Sequence, residues 1–263
     1  MEISGVHSMA TAFDGAASVY EQARPGYPVE AVDWLVRALG LGPGRRVLDL
    51  AAGTGKLTCA LLGSGAQVIG VEPVPAMRAT LAARIGAAST VEAGGAPASS
   101  VVGGVAQALP VGDGRLDAIT VAQGFHWFAT EDALAEMHRT LRPGGGLGLI
   151  WNRRDQSDPL QAVLTALMEP WRGDTPSHES GAWRHVLEPV DRFAPTGETH
   201  LAWRHLVDVG EVADRVASVS FIAAMNGDER ARLLDRVRAA ASELPAPLAL
   251  VYNTDVYCFI RMG

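Results

Sequence analysis

The chain has 263 residues, 22 Lys and Arg against 29 Asp and Glu, a formal net charge of −7, and a 48% hydrophobic, 19% charged composition. Such a chain is long enough for one large α/β domain, or for a core domain with an inserted cap, and it can bury a substantial core. The composition excludes a membrane span, because no apolar run approaches roughly 20 residues. The acidic balance argues against a nucleic-acid backbone as main partner, since that affinity rests on clustered Lys and Arg.

The start, MEISGVHSMATAFDGAA, lacks the basic flank and apolar core of a signal peptide and reads as a flexible leader over residues 1–12. A cytoplasmic protein is expected. Cys59 and Cys258 lie far apart without CxxC spacing, so buried thiols are expected rather than a disulfide or a zinc site. The seven histidines show no HxxxH spacing, and no metal is expected.

Val32, Leu35, Val36 and Leu39 recur at helical spacing up to Gly40, which predicts an amphipathic helix. The apolar runs Val47 to Ala51 and Gln67 to Val71 follow, with helix-like sequence between them. Both read as fully buried strands of a βαβ unit. A short strand is expected near Val101 and Val102, then a strand over Asp117 to Ala122 and a helix over Thr130 to Leu141 with Thr130 as N-cap. Arg142 to Gly146 ends that helix and leads into a strand over Leu147 to Trp151. Strand and helix thus alternate through residue 151, as in a doubly wound sheet whose ligand crevice lies at the carboxyl ends of its strands.

Beyond Trp151 the rhythm changes. Asp158-Pro159 starts a helix with the stripe Leu160, Val163, Leu164, Leu167, Met168 and Trp171, and further helices are expected around Val212 to Val219 and Leu233 to Leu244. Leu201 to Val209 and Thr254 to Arg261 read as strands added to the sheet edge. The expected organisation is a leader over 1–12, a ligand-binding core over 13–151, a helical cap insertion over 152–198, and C-terminal helices and edge strands over 199–263 completing the core.

The stretch VLDLAAGTGK, residues 47–56, could serve a phosphate, a dinucleotide or another ligand. A P-loop needs glycine where the chain has Leu50 and Ser or Thr where it has Leu57. The dinucleotide fingerprint needs glycine at 51, 53 and 56, and only Gly53 matches. What fits is a strand, a small-residue loop with Gly53 and Gly55, and a second strand ending in Glu72, 23 positions after Asp49. A carboxylate at that tip can accept both ribose hydroxyls of a nucleoside, so a nucleoside without pyrophosphate fits better than NAD.

Five segments in order, VLDLAAGTG, VIGVEPVPAM, GGVAQALP, DAITVAQGFHWF and LRPGGGLGLIW, together with the N-terminal YEQARPGYP, resemble the class I S-adenosylmethionine-dependent methyltransferases, in the small-molecule, type 11-like branch. The resemblance covers about residues 13–155. It implies an α/β fold with a doubly wound, Rossmann-like, mostly parallel seven-stranded sheet, one antiparallel edge strand and a helical cap. It implies S-adenosyl-L-methionine as cofactor, with Asp49, Ala51, Gly53 and Gly55 along its methionine portion and ribose, and Glu72 on the ribose hydroxyls. Pro73 and Met77 would line the adenine, Ala106 and Gln107 would meet its edge, and Gln123 would support the methionyl end. Where many relatives carry an acid for the adenine amino group this chain has Val105, so a backbone carbonyl or a water would replace that contact.

Tyr20 and Arg24 are expected on the cofactor, Arg24 as a carboxylate clamp, although a surface ion pair is an equal reading. Tyr27, Phe125, Trp127 and Trp151 are expected on the substrate. Methyl transfer from a sulfonium is an in-line displacement in which positioning supplies most of the acceleration. An oxygen nucleophile of high pKa would need a base, for which His126 is the candidate; capping or orienting its loop is the alternative. The expected reaction is methylation of a small molecule, with oxygen favoured, in a monomer or homodimer without nucleic acid or membrane. A cofactor-binding protein without turnover and an NAD-dependent oxidoreductase are the alternatives. Against nucleic-acid methylation, the block after the fourth strand reads Ala122-Gln123-Gly124-Phe125 in place of Asn/Asp-Pro-Pro-Tyr/Phe.

Overall fold

The computed structural model describes residues 23–91, 99–188 and 191–263. Tyr20 and the expected leader lie outside the described residues. A seven-stranded sheet runs in the order β3-β2-β1-β4-β5-β7-β6, with β1 (Arg46–Leu50), β2 (Gln67–Val71), β3 (Ser100–Val102), β4 (Leu116–Ala122), β5 (Leu141–Arg154), β6 (Phe193–Val207) and β7 (Leu248–Arg261). The first five are parallel, and β7 pairs antiparallel with both β5 and β6. The one reversed strand therefore sits one place inside the edge, with β6 outside it.

β1 is central, between β2 and β4, and Val47, Leu48 and Leu50 are fully covered, as expected of a strand buried on both faces. Helix α1 (Val29–Ala38) turns Ala31, Val32 and Leu35 onto the sheet and ends before Gly40 at φ +60°. Gly148 of β5 allows its close approach: a Cβ there would stand 2.5 Å from Leu35 Cδ1 and 2.9 Å from Leu39 Cδ1. Helices α2 (Lys56–Leu62) and α3 (Pro75–Val91) complete the βαβ units, and α4 (Glu131–Thr140) starts where the Thr130 hydroxyl accepts the Ala133 N–H. The segment Arg142 to Gly146, read as a loop, lies inside β5, whose register shifts between the pairs Leu116 with Leu141 and Ala118 with Gly146.

Helices α5 (Pro159–Met168), α6 (Val209–Ala217), α7 (Ser220–Ala223) and α8 (Gly227–Ser242) pack beside the sheet. Asp158 caps α5 through the Gln161 N–H, and Asp208 with Glu211 forms a capping box on α6. Leu160, Leu164, Val212, Val216, Leu233 and Val237 form one apolar cluster with Leu248, Leu250 and Tyr252 of β7. This corrects the expected boundaries. Residues 152–154 belong to β5 and 193–198 to β6, and α5 buries its stripe against α6 and α8, which come from the later segment 208–247, and against β7. Among the described residues no helix is long and apolar enough to cross a membrane.

Candidate functional site

A cavity of about 260 Å³ opens at the carboxyl ends of β1, β2 and β4 and reaches under the cap segments. Its floor is the loop after β1. Ala51 and Gly53 have φ of +54° and +58°, and Gln123, just past β4, has φ of +59°. Left-handed backbone at a non-glycine residue costs energy, and here both such residues line the same cavity. At Gly53 an added Cβ would meet only Met77 Sδ at 3.9 Å, so its backbone angle requires glycine and its packing does not.

Glu72, at the tip of β2, ties this floor together. Its Oε2 accepts the Gly53 N–H at 2.9 Å and its Oε1 accepts the Val74 N–H at 2.9 Å. Burial pushes its pKa up, and the two amides pull against that. Each oxygen keeps lone-pair capacity for a further donor, and Glu72 lines the cavity together with Pro73, Met77 and Ala106. A nucleoside edge with two vicinal hydroxyls fits this carboxylate.

Several expected site residues lie elsewhere. Asp49 is fully buried and does not line the cavity: its Oδ2 accepts from Thr58 Oγ1 at 2.5 Å and its Oδ1 from Thr120 Oγ1 at 2.9 Å. Burial raises its pKa to about 6 against these hydrogen bonds. It locks β1 to α2 and β4 beneath the floor. Gly55, at φ +90°, also stays out of the cavity, because its missing Cβ makes room for Leu81 of α3. Gln107 does not reach the cavity either, and its Oε1 is buried without a partner among the described residues. Phe125 is wholly in the core, edge-on to Phe128 and Trp183 at 5.9 and 6.2 Å, so it cannot touch a substrate. Tyr27 lines a smaller adjoining chamber of about 50 Å³ instead, together with the half-buried Lys56.

The expected residues that do meet in the main cavity include Arg24, Gln123, His126, Trp127 and Trp151. Arg24 Nη2 donates to the Ser218 carbonyl at 2.8 Å, which ties the N-terminal segment to the cap. Gln123 Nε2 reaches the Asn152 carbonyl at 3.4 Å.

His126 does not suit the base role. Trp151 Nε1–H can only donate, and it lies 3.3 Å from His126 Nδ1, so Nδ1 is the acceptor and the neutral ring carries its proton on Nε2. Burial, with His178 and Arg24 adding repulsion, lowers the pKa to about 3. The ring is neutral at ordinary pH and offers an N–H donor, with its lone pair already used.

The sequence reading missed His178, Arg153, Arg154, Arg172 and Arg215, all of which line the cavity. His178 packs in one aromatic cluster with Trp151 and Trp183, tilted against the first at 4.5 Å and stacked on the second at 5.5 Å, and burial lowers its pKa to about 4. The signal that could have found two of these is Arg153-Arg154, a charged pair one residue past the apolar run that ends at Trp151.

A family model described as "Methyltransferase domain" matches residues 48–149. An uncharacterized methyltransferase of Mycobacterium tuberculosis is 35% identical over 251 residues, covering 94% of each chain. An uncharacterized methyltransferase-like protein of Schizosaccharomyces pombe is 31% identical over 237 residues, 90% of this chain and 86% of that one. Among solved structures, the YcgJ protein from Bacillus subtilis superposes with a TM-score of 0.56 at 17% identity, over 89% of this chain and 99% of the other, a likeness of fold.

Proposed function

Because the chain belongs to the class I S-adenosylmethionine-dependent methyltransferases of the type 11 branch, with S-adenosylmethionine as cofactor, we propose that it methylates a small molecule, on oxygen, in the cavity between the glycine loop and the cap. The observation that carries the proposal is that one cavity is lined on one side by the glycine-loop floor, closed by Glu72, and on the other by residues of the cap. When bound, the cofactor supplies a methyl group already activated by its sulfonium charge.

The chain's own residues bind and position. Glu72 would take the ribose hydroxyls, the backbone at Ala51 and Gly53 would lie along the ribose and methionine portion, and Pro73, Met77 and Ala106 would enclose the adenine. Arg24 and Gln123 would hold the methionyl end. Trp127 and Trp151 would wall the acceptor and exclude water, which strengthens every charge interaction inside. With its proton on Nε2, His126 would donate a hydrogen bond to an acceptor oxygen and so orient it. An oxygen that enters already ionised suits a site without a base.

Calorimetry with S-adenosylmethionine and with NADH, followed by a search for S-adenosylhomocysteine across a metabolite panel, tests the reading. The expected result is saturable binding of the sulfonium cofactor and product formed with an oxygen acceptor. Selective binding of NADH, or turnover only on carbon, nitrogen or nucleic acid, would overturn it.

A further inference from the structure

Among the described residues five arginines line the cavity, Arg24, Arg153, Arg154, Arg172 and Arg215, against two carboxylates, Glu72 and Glu179. In a protein with a net charge of −7 this is a local reversal of sign. Three of the five are engaged with defined partners. Arg153 Nε donates to Asp255 at 3.1 Å, Arg172 Nε to Glu169 at 2.9 Å, and Arg24 to the Ser218 carbonyl. Arg215 meets only neutral oxygens, the Tyr252 hydroxyl at 3.1 Å and the Ser218 hydroxyl at 3.3 Å. The side chain of Arg154, the last residue of β5, makes no hydrogen bond and no ion pair among the described residues, and burial together with the nearby Arg215 charge lowers its pKa to about 10. Neither lining carboxylate bonds to it: Glu72 is held by two backbone amides, and the half-exposed Glu179, 3.9 Å from Arg172, attracts Arg154 only through space.

Arg154 is half-buried and none of its guanidinium nitrogens is sealed away from the cavity, so its donors stand open to an entering group. A partly desolvated cation with donors in reserve is costly, and such a cost persists where function uses it. We infer that Arg154 and Arg215 form an oxyanion subsite that holds a carboxylate or phosphate group of the methyl acceptor. The assignment of that anion to the acceptor rests on the reading of the cavity as a methyl-transfer site. The forked, permanently charged donors of two arginines match either oxyanion. β7 fixes their relation, since Tyr252 stands opposite Arg154 in the strand register and binds Arg215 through its hydroxyl. The carboxylate of the cofactor itself is the rival source of the anion.

The test is calorimetry on the full chain with inorganic phosphate and with citrate, before and after saturation with S-adenosylhomocysteine. The expected result is saturable binding of at least one anion alongside bound S-adenosylhomocysteine. That binding should weaken tenfold or more in Arg154→Met and in Arg215→Met, and stay unchanged in Arg236→Met on the exposed face of α8. Arg154→Met should also raise the Tm of the anion-free protein, because it removes an unmatched charge. A preference for phosphate or for citrate identifies the group. Equal anion binding by wild type and Arg154→Met would overturn the subsite, as would a Tm lowered by that substitution, which marks a structural cation. Displacement of the anion by S-adenosylhomocysteine would assign the arginines to the cofactor and overturn the acceptor assignment. Arginine-dependent anion binding without any binding of S-adenosylhomocysteine would sink the methyl-transfer reading and leave the subsite standing.

Discussion

The floor and the cap-side wall of the cavity are built on opposite principles. In the floor the buried carboxylates have defined donors: Asp49 has two threonine hydroxyls and Glu72 two backbone amides, and the small residues Ala51 and Gly53 take up the sharp turn. The wall carries an arginine without a partner, a second with only neutral ones, and a histidine whose ring nitrogens are buried without a partner among the described residues. A surface finished by internal hydrogen bonds can hold one invariant ligand repeatedly, whereas one with polar capacity in reserve is completed by what enters it. That difference matches a cofactor common to a family and an acceptor particular to this chain.

Substitutions can sharpen or break the contrast, the largest effects coming from the floor. Gly55→Ala forces a side chain into left-handed backbone and against Leu81, and should cost about 3 kcal/mol in urea unfolding. An unchanged midpoint and slope would show the floor to be loosely packed. Asp49 has a raised folded-state pKa, so folding favours its neutral form. Its contribution is complete near pH 4 and is lost as the pH climbs through about 6, a loss on the order of 3 kcal/mol. The stability difference between wild type and Asp49→Asn should therefore widen in favour of Asn from pH 4 to 7. A difference independent of pH would mean that the two threonines hold a stable carboxylate.

Glu72→Gln keeps one acceptor but loses the charge, and cofactor affinity by calorimetry should fall by about 1–2 kcal/mol. No change would remove Glu72 from the ribose. The smallest effect belongs to the wall: on the acceptor that the panel yields, His126→Gln should retain most of kcat/KM while His126→Ala loses about tenfold, one neutral hydrogen bond. A pH step near 6.5 that disappears in His126→Gln would restore the base role and break the comparison.

The floor was legible because it is local. The acid, the two glycines and Glu72 fall within one βαβ unit, and strand periodicity alone places them at one edge. Thr130 and Asp158-Pro159 likewise announce their helices through capping chemistry. What failed locally was direction. Asp49 and Gly55 sit in the right loop, yet strand alternation turns the Asp49 side chain to Thr58 and Thr120, and Leu81 claims the space beside Gly55. Phe125 and His126 are neighbours, of which one faces the core and the other the cavity. The wall was illegible because Arg154, His178 and Arg215 come from three separate segments with no shared period. The long strands β6 and β7 were read too short, since Pro195 and Gly197 at the β6 irregularity, and a β7 that begins directly after Pro247, look like turns.

β7 is the last strand in sequence, yet it lies between β5 and β6 and lends Leu248, Leu250 and Tyr252 to the cap cluster. During synthesis β6 thus has no strand to pair with, and the helices of the cap have no complete surface to close on, until the final strand arrives. The half proposed to grip the cofactor can order early from contacts close in sequence, while the half proposed to hold the acceptor waits for long-range ones. Removing residues 248–263 would therefore strip the molecule of β7, the pairing of β6 and the closure of the cap together, a loss far larger than that of one strand.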